Sequence, residues 1–220
     1  MRLPEYCERS AEGLWAEPLN AITNAAFLIA AWMAWRAWRR QPDASWKAQP
    51  DIGVLIILVA VIGIGSLLWH TVAVPWAYLL DAGPIVAFIH AFLISFLWRI
   101  AGLSWPGILG VVVLYQLVTL ATMGILPAGA LNESVGYLPV LLFLLAMAVW
   151  LHLRGHPLWR RLLLCSGLFA LSLGFRIADL FLCNALPFGT HFLWHMVNGL
   201  LLYLLLEGLI QHGTKRCQRA

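Results

Sequence analysis

Between Asp51 and Arg99 only Asp81 carries a formal charge. An apolar run of that length has its backbone satisfied only as helices buried in lipid or protein, so it constrains the chain to a membrane bundle. The composition agrees: 62% of the 220 residues are apolar and 11% charged, against about half and about a quarter in a soluble domain. A water-soluble globule and a disordered chain are both excluded as starting points. Seven helices of about 20 residues use roughly 140 residues, which leaves short loops and no room for a second domain. The expected fold is an all-α seven-transmembrane helix bundle, one domain over 1–220.

Spans are predicted at about 18–37, 52–72, 76–98, 105–125, 134–153, 160–182 and 187–210. Pro75 separates the second from the third, and Arg176 and Asp179 interrupt the sixth. Residues 1–17 are polar and acidic, unlike a signal peptide, and read as an extracytoplasmic leader. Lys and Arg set the orientation. Arg36, Arg39, Arg40, Lys47, Arg99, Arg154, Arg160, Arg161, Lys215, Arg216 and Arg219 all flank the same side. The opposite connections, around 73–75, 126–135 and 183–187, contain neither residue. The N-terminus is therefore expected outside and the C-terminus in the cytoplasm. Topology accounts for the net charge of +4, so no nucleic-acid partner is assigned.

Polar residues within spans mark function, and here they agree in depth. Glu17, Asn20 and Asn24 open span one; Ser66 and His70 close span two; Asp81 opens span three; Asp179 closes span six; His191, His195 and Asn198 open span seven. These helices alternate in direction, yet every one of these residues falls at the outer end. His191, His195 and Asn198 share one helical face, and histidines at i, i+4 can reach one metal ion. With His70 they supply the three-nitrogen set of a hydrolytic zinc site with a fourth position open to water. Asp81 is a candidate proton acceptor, and Ser66 a donor to a developing oxyanion.

Blander readings stand beside these. A HxxxH pair also ligates haem or bonds neighbouring helices. A serine in a membrane helix commonly bonds its own backbone, and Asp81 at a helix start can be an N-cap. Arg176 and Asp179, at i, i+3, read best as a structural ion pair. His90 faces away from Asp81 and is left out of the site. In the leader, the oxygen donors Glu5, Glu8, Ser10 and Glu17 suit calcium, although composition alone fits a solvated acidic segment.

The ordered set of motifs resembles the alkaline ceramidase family of seven-span membrane hydrolases, across most of the chain. Tyr6-Cys7-Glu8, Glu17-Pro18-Leu19-Asn20 and Thr23-Asn24 are similar to its acidic leader. Ser66-Leu67-Leu68-Trp69-His70 with Asp81 downstream resembles its SxxxH and aspartate, and His191-Phe192-Leu193-Trp194-His195 its HxxWH. The Asp179 to Cys183 spacing is also similar. The resemblance implies zinc on His70, His191 and His195, with catalytic help from Ser66 and Asp81. It further implies calcium on Glu5, Tyr6 (through its carbonyl), Glu8, Ser10 and Glu17, and a Cys7–Cys183 disulfide. Asn20, Asn24, Asp179, Trp194 and Asn198 would support the site. Departures lie in the leader: Glu5 and Ser10 stand where eukaryotic members have Asp and Asn, and the Cys7 to Glu17 spacing is shorter.

The expected activity is hydrolysis of the amide of ceramide or a similar N-acyl lipid drawn from the bilayer. The small size and short loops resemble a bacterial member, which implies an inner-membrane enzyme with its site towards the outer side. Two other readings compete. One is a zinc membrane receptor of the adiponectin-receptor type, favoured by a cytoplasmic N-terminus. The other is a haem-binding or transport bundle, which the apolar inner halves of the spans oppose.

Overall fold

The computed structural model describes residues 6–9, 13–127 and 129–213. They are helical, with no strands among them. Six helices are long and apolar enough to cross a membrane: Pro50–Val72 (α3), Pro75–Ala101 (α4 with a closing π turn), Trp105–Ile125 (α5), Val135–Leu153 (whose α-helical part, Leu138–Leu153, is α7), Trp159–Leu182 (α8) and His191–His212 (α9). A short turn, Ala130–Glu133 (α6), follows α5.

The first predicted span differs. It consists of two helices, Pro18–Thr23 (α1) and Ala25–Arg39 (α2), neither long enough alone. The backbone stays helical at Asn24 (φ −62°, ψ −17°). The bonding tightens there to i, i+3, from Asn24 N–H to Ala21 O and from Phe27 N–H to Asn24 O. The last span begins at His191 rather than 187, because Gly189 turns the chain with φ +63°.

The bundle is ordered by packing of α3 on α4, α2 on α9 and on α3, α9 on α8, and α8 on α7. Its core includes Phe27, Ile62, Phe92, Phe169, Leu201 and Leu205, while Leu109, Leu117, Leu120 and Ile125 of α5 face outward. At the end remote from the polar residues, Asp51 of α3 pairs with Arg99 and accepts from Ser95 (2.5 Å). Arg161 pairs with Glu207 at 3.0 Å. These bonds tie together the ends of α3 and α4, and of α8 and α9, that lie away from the histidines.

One close approach positions the site. A Cβ at Gly65 would overlap the carbonyl of Leu80, so only glycine lets α3 and α4 touch there. The next residue on each helix is Ser66 and Asp81.

Candidate metal centre

α3 delivers His70, and the first turns of α9 deliver His191 and His195. All three are buried, with donor nitrogens within 4.8 Å of one another. Ring centroids are 4.7 to 5.2 Å apart. Three nitrogens bound to one zinc at ~2.0–2.1 Å would stand about 3.3 Å apart, within that envelope.

Neighbours fix two of the rings. His70 Nδ1 meets Glu17 Oε2 at 2.6 Å. His195 Nδ1 meets Thr23 Oγ1 at 3.0 Å, and the Thr23 hydroxyl already donates to Leu19 O at 2.7 Å, so the ring must donate. Both Nδ1 atoms therefore carry the proton, which leaves Nε2 free as a ligand, the usual arrangement behind metal-bound histidine. His70 Nε2 and His191 Nδ1 are buried with no hydrogen-bond partner. Such orphaned nitrogens call for an explanation, and an all-nitrogen, three-membered set suits a transition metal or zinc.

Asp81 lies in the second turn of α4, not at its N-cap, which is Val74. The Ser66 hydroxyl is within hydrogen-bonding reach of its carboxyl. Ser66, Asp81, His191 and His195 line one cavity of about 70 Å³ together with Tyr6, Tyr78, Glu133 and Arg176. A second cavity of about 100 Å³ is almost wholly apolar, walled by residues such as Phe88, Phe92, Phe143 and Leu202. The two share Phe27, Ile62, Ile85, Tyr137 and Trp194 as lining, so the polar chamber lies against an apolar one.

The leader roofs the histidines. Cys7 and Cys183 form a disulfide. The Tyr6 ring is 4.2 Å from that of His191 and 5.0 Å from that of His70; burial pushes its phenol above the usual range, partly opposed by the Arg176 guanidinium. Asp179 anchors this roof by accepting from the backbone N–H of Cys7 (3.1 Å), Thr190 (2.6 Å) and His191 (2.9 Å). Its carboxylate thus caps the N-terminus of α9 from another helix. A Cβ at Gly189 would strike that carboxylate.

The expected Arg176–Asp179 ion pair is not formed: both Asp179 oxygens are taken by amides, and Arg176 turns instead to Ser134 Oγ (3.1 Å) and the site cavity. Of the other supporting residues, Trp194 lines both cavities. Asn198 ties α9 to α8 through Ser172 Oγ (2.6 Å). Asn20 donates to Glu17 (2.9 Å), and Asn24 to the Asn20 carbonyl (2.7 Å). His90 bonds Gln116 at 3.2 Å.

The calcium set is a different matter. Glu5 and Ser10 lie outside the described residues, and the Tyr6 carbonyl accepts from Arg9 N–H at 3.1 Å. Glu8 spends its two oxygens on the Leu19 (2.7 Å) and Asn20 (2.8 Å) amides. Glu17 pairs with Arg9 and His70. Burial pushes the Glu17 carboxyl up, but the His70 and Arg9 contacts outweigh it and hold the group below its ordinary value. Both carboxylates already face N–H donors, so the described residues do not fit calcium. Arg9 occupies the place of a cation.

Sequence reasoning missed Tyr137 and Arg9, named Thr23 only as part of a leader motif, and took Arg176 for half of an ion pair although a charge inside a span is itself a signal. The sequence model of the Ceramidase family matches residues 4–217. No curated protein matches the chain.

Proposed function

The chain belongs to the ceramidase family, and from that membership we propose that it is a zinc-dependent intramembrane amidase acting on ceramide or a similar N-acyl lipid. Membership makes it a membrane hydrolase of ceramidase type; the metal, the substrate and the residue roles are our reading. The observation that carries it is the buried three-histidine cluster with orphaned nitrogens, beside a carboxylate, at the head of an apolar cavity.

His70, His191 and His195 would hold the zinc. Bound there, zinc supplies Lewis-acid polarisation of the amide carbonyl and eases deprotonation of water. Asp81 accepts the proton of the attacking water and returns it to the leaving nitrogen. Ser66 donates to the carbonyl oxygen as it gains negative charge. Glu17 and Thr23 keep two imidazoles in the ligating tautomer. The apolar cavity receives the acyl chain and excludes water. The products are a fatty acid and an amino lipid. No step is derived through calcium.

We count Pro18–Arg39 as a seventh crossing, which makes residues 1–220 a single seven-span domain. The basic flanks then put the C-terminus in the cytoplasm and the histidines towards the outer face of a bacterial inner membrane.

The test is metal content by mass spectrometry together with fatty-acid release from ceramide. Wild type is expected to carry about one zinc per chain and to hydrolyse the amide. His195→Ala loses both, and Asp81→Asn keeps zinc and loses turnover. Full turnover in Asp81→Asn would sink the mechanism.

A further inference from the structure

Among the described residues, Arg176 is the only arginine or lysine lining either cavity. It sits inside a membrane helix, where a charge is costly and marks function. Nε donates to Ser134 Oγ at 3.1 Å, and Cζ lies 5.5 Å from the Trp194 ring and 5.9 Å from the Tyr137 ring. Ser134 itself is fully buried, and Asn132 donates to the Arg176 carbonyl at 3.0 Å. The guanidinium is thus held firmly, with no salt bridge to a carboxylate among the described residues; the Tyr6 hydroxyl reaches it, and Asp81 attracts it from across the chamber. Asp179 is committed to amides. A buried charge without a close ion pair is costly, and the planar fork is suited to a carboxylate or phosphate.

We propose that Arg176 is a recognition residue for an acidic group on the amine side of the substrate, a carboxylate or phosphate close to the scissile amide. The inference rests on the amidase reading and narrows its substrate class. With the acyl chain in the apolar cavity, the amine portion is what remains in the polar chamber. There Arg176 is the one arginine or lysine among the described residues. N-acyl amino acids and N-acyl amines bearing a phosphate fit best; neutral N-acyl amines, ceramide among them, still enter through the apolar cavity but give the guanidinium no acidic partner.

The test uses the full-length protein in detergent, stripped of metal so that binding is separated from turnover. Calorimetric affinities are compared for N-palmitoylglycine, N-palmitoylethanolamine and the phosphate ester of the latter. Wild type is expected to bind at least one acidic lipid tenfold or more tightly than the neutral alcohol, about 1.4 kcal/mol. A gain confined to the glycine conjugate identifies an amino-acid headgroup, and one confined to the ester a phosphate. Arg176→Gln abolishes the gain while changing affinity for the neutral lipid less than twofold. Arg176→Lys, which keeps the charge without the fork, retains a reduced preference and serves if the glutamine variant does not fold. Equal affinity of wild type for all three lipids overturns the proposal, as does an undiminished preference in Arg176→Gln. The amidase reading fails separately: acid-selective binding without hydrolysis by zinc-loaded protein removes it and leaves the anion subsite in place.

Discussion

Glu17 Oε2 and His70 Nδ1 meet at 2.6 Å, with both side chains almost completely buried. The contact spans from the start of α1 to the end of α3 and fixes which imidazole nitrogen faces the cluster. Removing the charge while keeping the shape, in Glu17→Gln, is expected to weaken zinc binding by about 10- to 100-fold, read by competition with a chelator. Glu17 also contributes to acid stability. Because its carboxyl is held below its ordinary value of 4.5, its contribution is complete above that pH and is lost as pH falls through the lower folded value. The metal-free Glu17→Gln variant should therefore show a flatter acid limb in unfolding temperature against pH.

Gly65→Ala tests the contact between α3 and α4. The new methyl meets the Leu80 carbonyl and pushes Ser66 away from Asp81. A cost of about 1–3 kcal/mol is expected from overpacking. Turnover should fall about 100-fold, the scale of a 1 Å misplacement, with zinc content unchanged. Retained turnover would show that the register of Ser66 and Asp81 does not matter.

Asp179→Asn should destabilise the end that carries the histidines by about 1.5–3 kcal/mol, the range for a hydrogen bond to a charged group. One oxygen of the amide can still accept, so the Cys7–Cys183 bond is expected to form. Unfolding temperature with and without reductant separates the two contributions: the variant's deficit should persist in oxidised protein.

Arg9 standing against Glu17 makes calcium dispensable. EGTA is expected to leave wild-type hydrolysis and unfolding temperature unchanged. Arg9→Ala uncovers the Glu17 carboxylate and lowers the unfolding temperature, and calcium at about 1 mM, the range of weak sites, restores it. Stabilisation of wild type by calcium would contradict the role given to Arg9.

What could be read from the sequence follows from periodicity and depth. Five of the candidate spanning helices, α3, α4, α5, α7 and α8, lie within a few residues of the runs read from the sequence, because uncharged runs end at prolines and basic residues. The break at Asn24 was invisible, since the backbone there remains helical and only its bonding changes. The three histidines with Ser66 and Asp81 were legible because membrane helices seldom spend polar residues at one common depth. Thr23 was not, since a threonine in a helix ordinarily bonds its own backbone, as this one also does. Arg176 was misassigned because i, i+3 spacing to Asp179 makes a local ion pair the simplest expectation. The amides of Cys7, Thr190 and His191 compete for that carboxylate, and they come from parts of the chain that only the tertiary fold brings near.

The bond between Cys7 and Cys183 gives the protein a history as well as a shape. Forming it removes two electrons, which an oxidant must accept. The roof over the histidines is therefore locked only once Cys7 has met the end of α8 in the presence of an oxidant. Until that bond closes, the chain has the helices of the bundle without the covalent tie that holds its roof in place.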